Sequence, residues 1–411
     1  MLAFLIPALP PLHKERKRDL EPSGRDIIFA AAEIGRSWGS GACRANQELR
    51  LEQEPASGSR FRNGSCIGKS QGRRREPSGA GASGHRQSGL EQHGHTGIIL
   101  QDYQTTLKSG VTLTGIGVHS GKEVTARFLP ADADTGIVFH QIGADGQVRE
   151  IRALVSEVGA TDLCTLLGDP AGQHVATVEH LMAALLGLDI DNLVIEIDGR
   201  EVPILDGTAA MFVEAFDQAG IETLAVKRRF IRILKTVRIE SGASWAEFRP
   251  YAGTRFEVEI DFESPAIGRQ QFSADLSPDT FRRELSRART FGFMKDVERL
   301  WAAGYALGSS LENSLVIGDD HRVINMGGLR YPNEFARHKT LDALGDLALA
   351  GARFIGCFRS YRGGHRLNAA ALRRLLSDRS AFEIVETTRR ERGRAAEMHA
   401  VSMPVHAPWA I

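Results

Sequence analysis

From Tyr103 onward, apolar and polar positions alternate in a pattern that marks out successive elements. Val111, Leu113, Ile116, Val118, Val124, Ala126 and Phe128 recur at near-alternate spacing, interrupted by Gly115, Gly117 and Gly121, as in half-buried strands joined by tight turns. The spacing turns helical over 176–188, becomes a continuous apolar strand over 192–198 (NLVIEID), and turns helical again over 207–219. A second half repeats the rhythm, with strands around 229–239, 245–248 and 255–262, a helix over 278–287, further strands, and a helix over 333–349. The layout repeats without a residue-level repeat. It predicts an α+β fold of two similar domains, 102–225 and 226–411, each a β-sheet packed on helices as a two-layer sandwich.

Residues 1–98 are a different polymer. They are rich in Gly, Ser, Arg and Gln, lack periodicity, and carry about 15 Lys/Arg against about 10 Asp/Glu, so a disordered extension is expected there. Its apolar opening precedes Lys14, Arg16, Lys17 and Arg18, which puts the charge on the wrong side for a secretory signal. A basic tail on an acidic membrane surface is one reading; an extension with no folded role, or even a start codon set too early, is the blander one. Over all 411 residues, 51 basic and 51 acidic side chains balance, which excludes nucleic-acid binding through bulk charge. No run approaches the roughly 18 apolar residues of a membrane span. Cys43, Cys66, Cys164 and Cys357 never fall in a CxxC spacing, so a reducing compartment is expected and any metal must be held by His and carboxylates.

Four places carry candidate chemistry. Glu179 and His180 are adjacent on an apolar helix, although such a pair is more often a surface or capped-core feature. In NEFARHKTLDALGDLAL, His338, Asp342 and Asp346 stand at i, i+4 and i+8 on one face, with Phe335, Leu341, Leu344 and Leu347 on the packing side; Asn333 is the expected cap. An imidazole and a carboxylate four apart can converge on one ion, and a solvated ion pair is the competing reading. His365 follows Gly363 and Gly364 in what reads as a loop, and Thr290 supplies a hydroxyl beside the aromatics Phe291 and Phe293 in ARTFGF. Taken together, His180, His338 and Asp342 supply three ligands and leave a fourth position open, as catalytic zinc requires. Glu179 is then placed to take a proton from water, and His365 to remain cationic. No HExxH occurs, which disfavours a zinc peptidase.

The segments TLTGIGVHSGKEV, ATVEHLMAALLGLDIDNLVIEIDG, EVPILDGTA, ARTFGF, LRYPNEFARHKTLDALGDLALAG and GGHRLN resemble, in one order, the UDP-3-O-acyl-N-acetylglucosamine deacetylases, zinc amidases of bacterial lipid A synthesis. The resemblance implies a cytoplasmic hydrolase that removes the N-acetyl group of the UDP-sugar, giving acetate and a free amine. It implies Zn2+, with Fe2+ as the alternative, on His180, His338 and Asp342, and Glu179 as general base. It further implies His365 as the cation that stabilises the oxyanion, Asp346 as the carboxylate orienting it, and Thr290 as a hydroxyl donor to the same oxyanion. Lys339 is similar to the family's sugar-nucleotide contact and Phe262 to an aromatic on the uracil, with Phe291 and Phe293 beside them. An insert around 293–317 resembles a passage for the acyl chain, lined by Val297, Leu300, Trp301 and Leu307, with packing under the domain as the bland alternative. Its turn reads Gly308-Ser309-Ser310-Leu311-Glu312-Asn313, where the family more often has paired glycines and Asp-Asn. Cys164 lies near the metal by analogy, a plain buried thiol being the alternative. A monomer is expected, with transient inner-membrane surface contact and no nucleic-acid partner. A zinc amidase for another acylated amino sugar, or a catalytically dead sugar-nucleotide binder, would be the competing functions.

Overall fold

The computed structural model describes residues 102–143 and 146–386. The extension expected over 1–98 lies outside them, as does the end of the 226–411 span.

The first sheet has five strands in the spatial order Val111–Ile116, Glu123–Pro130, Leu193–Ile197, Ile137–Ile142, Val148–Arg152. All neighbours are antiparallel except Ile137–Ile142 beside Leu193–Ile197. Alternation puts Val111, Leu113, Ala126 and Phe128 on the inner face, where Phe128 meets Phe212 and Phe216 edge-on at 6.3 and 5.2 Å. Helices α1 (Glu179–Gly187) and α2 (Ala210–Ala219) belong to this half. All nine residues of α1 are buried, which marks a helix at the centre of the molecule.

The second sheet has seven strands built on the nine-residue strand Arg353–Tyr361. Its start pairs in parallel with Arg229–Ile233, and its remainder runs between Ser244–Arg249, antiparallel, and Thr254–Asp261, parallel. Helix α3 (Met294–Ala302) lies between the parallel strands Phe291–Phe293 and Leu315–Ile317 of an insert and buries none of its residues. Helix α4 (Glu334–Ala348) packs on Thr254–Asp261 and Arg269–Asp275, and α5 (His365–Ser377) on Val237–Ser241 and Ser244–Arg249. The two halves share one continuous core, and α1 meets α4 at its middle. At their closest approach, a Cβ added to Gly345 would lie 1.9 Å from the Glu179 carbonyl oxygen, so only glycine allows this spacing.

Three expectations change. The helix expected over 278–287 is a turn, Pro278–Thr280, that widens into a π-helical turn, Phe281–Leu285, closed by Ser286 N donating to Phe281 O at 2.8 Å. Phe281, the first residue of this π turn, is fully buried against Gly187, where an added Cβ would come within 2.3 Å of its ring. Asn333 does not cap α4 through its side chain; its amide donates to Gln271 O, and its oxygen accepts from Arg337 Nε. His365 is not in a loop but is the first residue of α5, with extended Gly364 before it.

Candidate metal centre and active site

Two residues ahead of α1, before its N-cap Val178, stands Thr177, a buried β-branched residue in the left-handed region at φ +58°. The first two residues of the helix, Glu179 and His180, face the side of α4 that carries Asp342 and Gly345. The 3.6-residue period stacks His338, Asp342 and Asp346 along one face of α4 toward them.

His180, His338 and Asp342 each offer a ligand atom within 4.8 Å of the others, and they form the one such His/Cys/Asp/Glu group among the described residues. Asp342 Oδ1 lies 3.5 Å from His180 Nε2 and 3.2 Å from His338 Nε2. His338 Nδ1 donates to Ala288 O at 3.1 Å, which leaves Nε2 unprotonated and facing the group. Asp342 Oδ1 and His180 Nδ1 are buried without a hydrogen-bond partner. A buried carboxylate oxygen left in that state is costly unless it coordinates a cation, so two imidazoles and one carboxylate fit a divalent metal.

The charges are set by burial and neighbours. Burial pushes His338 down to about 3, keeping it neutral as a ligand must be. Burial works against the Asp342 charge, but the groups around it, the Lys339 ammonium 2.7 Å away among them, more than offset it and hold the carboxyl well below the usual range. Glu179 is raised, first by burial and further by Asp342 and Asp346. His365 is raised to about 9, because Asp346 and Glu179 together overcome the burial that disfavours its charge. Its Nδ1 donates to Asp346 Oδ2 at 2.9 Å, and its Nε2 lies 3.7 Å from Glu179 Oε1. A basic carboxylate and an imidazolium thus flank the ligand group, the pairing expected of a general base and a cationic acid.

Glu179, His180, His338, Asp342, Asp346 and His365 converge. Lys339 stands beside Asp342, and Phe291 lies 6.1 Å from His338 and 5.7 Å from Phe262, with Phe293 6.2 Å from Phe262, so an aromatic cluster adjoins the centre. Thr290 follows two residues after the carbonyl that orients His338, its own N–H bonded to Gly207 O at 2.9 Å. Val297 and Leu300 are half-buried on α3, with Trp301 and Leu307 exposed, joined to the centre through the Phe291–Phe293 strand. Cys164 is near enough to Glu179 that burial and that carboxylate both raise its thiol.

Several residues of the site escape sequence reasoning. Thr165 donates its backbone N–H to Glu179 Oε2 at 3.0 Å and its hydroxyl to Asp346 Oδ1 at 2.5 Å, so one residue touches both carboxylates. Asn368, one turn along α5 from His365, donates to Asp346 Oδ2 at 2.8 Å. Arg289 and the fully buried Glu334 form a two-pronged ion pair at 2.9 and 3.1 Å that fastens the ARTFGF segment to the start of α4. A cleft of about 510 Å³ lined by Leu185, Leu186, Ala350, Arg353 and Phe382 lies at the opposite ends of α1 and α4, away from these groups.

Residues 104–377 match the family model described as UDP-3-O-acyl N-acetylglycosamine deacetylase. The UDP-3-O-acyl-N-acetylglucosamine deacetylases of Brucella ovis and Brucella abortus are each 66% identical to this chain over 287 residues, covering 70% of it and 100% of their own length. That of Brucella melitensis is 65% identical over the same span.

Proposed function

The chain belongs to the UDP-3-O-acyl N-acetylglycosamine deacetylase family, and on that premise we propose that it hydrolyses the N-acetyl group of UDP-3-O-acyl-N-acetylglucosamine in an early step of lipid A synthesis. The observation that carries this reading is the convergence of a His-His-Asp ligand group with a carboxylate of raised proton affinity and a buried imidazolium.

His180, His338 and Asp342 hold the metal, and the nitrogen-rich donor set favours zinc, with ferrous iron as the alternative. When bound, such an ion supplies Lewis-acid chemistry, acidifying water and polarising a carbonyl. Glu179 takes the proton of the attacking water. The water oxygen adds to the N-acetyl carbonyl carbon, and negative charge develops on the carbonyl oxygen, which the His365 cation and the Thr290 hydroxyl stabilise. His365 then protonates the departing nitrogen as the C–N bond breaks, leaving acetate and the free amine. Asp346 keeps His365 charged and aimed, and Thr165 and Asn368 keep Asp346 in place. Lys339 and the Phe262, Phe291 and Phe293 cluster bind the sugar nucleotide, and the insert takes the acyl chain along Val297 and Leu300.

We place the enzyme in the cytoplasm as a monomer that touches the inner membrane surface to reach its amphiphilic substrate. No helix among the described residues is long and apolar enough to cross a membrane. Measuring acetate release from the UDP-sugar by protein of known metal content tests the reading. One metal per chain and metal-dependent release are expected; a metal-loaded protein that releases no acetate would overturn it.

A further inference from the structure

Glu201 is a buried carboxylate, 4% exposed, that no step above uses. Four donors from two separate segments converge on it. Oε1 accepts from His119 N at 2.8 Å and Thr177 Oγ1 at 2.9 Å, and Oε2 from Ser120 N at 2.9 Å and Ser120 Oγ at 2.7 Å. The fit is tight, since a Cβ on Gly117 would lie 2.2 Å from Oε2.

Each segment leads to a different part of the proposed site. Thr177 is the left-handed residue just before Val178, the N-cap of α1, and a β-branched side chain adopts that backbone only where its surroundings impose it. Its hydroxyl bond to Glu201 is such an imposition, and it sets the direction in which Glu179 and His180 emerge. His119 and Ser120 lie in the loop that receives the insert. Leu307 N donates to His119 O at 3.2 Å, Gly308 N donates to Val118 O at 3.0 Å, and Tyr305 meets the His119 ring edge-on at 5.9 Å. The insert is continuous with the seat that Glu201 fixes.

We propose that Glu201 is a two-armed positioning residue: through Thr177 it aims the base and one metal ligand, and through His119 and Ser120 it seats the insert, so that one carboxylate sets the acyl-chain passage in register with the reacting centre. This rests on the deacetylase reading, and it makes preference for the acylated substrate depend on a residue that touches no substrate atom.

The test uses the full chain loaded with metal, with its metal content measured, and compares acetate release from UDP-3-O-acyl-N-acetylglucosamine and from UDP-N-acetylglucosamine without the acyl chain. In Glu201→Gln an amide N–H faces donors, and the ratio of kcat/KM between acylated and unacylated substrates should fall at least about tenfold with metal retained. Thr177→Val should lower kcat on both substrates by a common factor of about five with KM unchanged, and Thr177→Ser should restore it. A metal-bearing Glu201→Gln protein whose substrate ratio stays within about twofold of the parent overturns the proposal. So does a Thr177→Val protein of parental kcat, which decides the matter even if Glu201→Gln fails to fold. A parent that releases acetate from neither substrate sinks the deacetylase reading instead.

Discussion

Replacing Asp346 with Asn removes the charge that holds His365 protonated while leaving all three proposed metal ligands in place. In the parent, Asp346 Oδ2 accepts the His365 Nδ1 proton at 2.9 Å, and the imidazole stays charged up to about pH 9. Without that carboxylate the largest influence raising His365 is gone, and burial is opposed only by Glu179 and Asp342, so the imidazole falls from about 9 toward its ordinary value of about 6.5. A complete fall, about 2.5 pH units or about 3.4 kcal/mol, would take the protonated fraction at pH 7.5 from about 97% to about 9%, so kcat/KM should fall there by up to about tenfold and much less near pH 6. The assay is acetate release between about pH 5.5 and 10, with metal content measured alongside. The expected result is a basic limb that moves down from about 9 toward 6.5. An Asp346→Asn enzyme that binds metal and keeps its basic limb near 9 would show that His365 does not act as the required cation.

Glu179→Gln keeps the shape and hydrogen bonds of the proposed base but cannot take a proton, so it should retain metal while turnover falls by about 10²-fold or more; an undiminished rate in metal-replete protein would remove Glu179 from that role. Gly345→Ala sets helix propensity, worth about 1 kcal/mol in favour, against a clash at 1.9 Å with the Glu179 carbonyl. The clash wins: denaturant midpoints should report a loss of more than about 2 kcal/mol, together with weaker metal binding as α1 and α4 part. Arg289→Met leaves Glu334 charged and buried without its cation and should cost about 3–5 kcal/mol in the same experiment, with Arg289→Met/Glu334→Leu recovering a substantial part.

How much of this could be read from the sequence depends on how local each cause is. His338, Asp342 and Asp346 share a face because a helix repeats every 3.6 residues, and four-residue spacing marks them as candidates while leaving a solvated ion pair as the competing reading. The strands around Val111–Phe128 were visible because one face is buried and the other is not. Gly363 and Gly364 make His365 look like a loop residue, although Leu367, Ala371, Leu372 and Leu375 behind it carry a helical apolar stripe. Phe281, at the start of the π-helical turn, packs on Gly187, nearly a hundred residues earlier, and no local pattern records such a contact. Thr165, Arg289 and Glu334 act through partners 14 to 181 residues distant, and a Thr in an irregular segment or a Glu in the first turn of a helix looks ordinary in isolation.

The account depends on one cation held jointly by α1 and α4. Anomalous diffraction at the zinc edge from zinc-loaded crystals addresses that directly. The expected result is a single strong peak within about 2.0–2.2 Å of His180 Nε2, His338 Nε2 and Asp342 Oδ1, absent from the Asp342→Ala protein. A peak elsewhere, or zinc retained at that point after Asp342 is replaced, would contradict it.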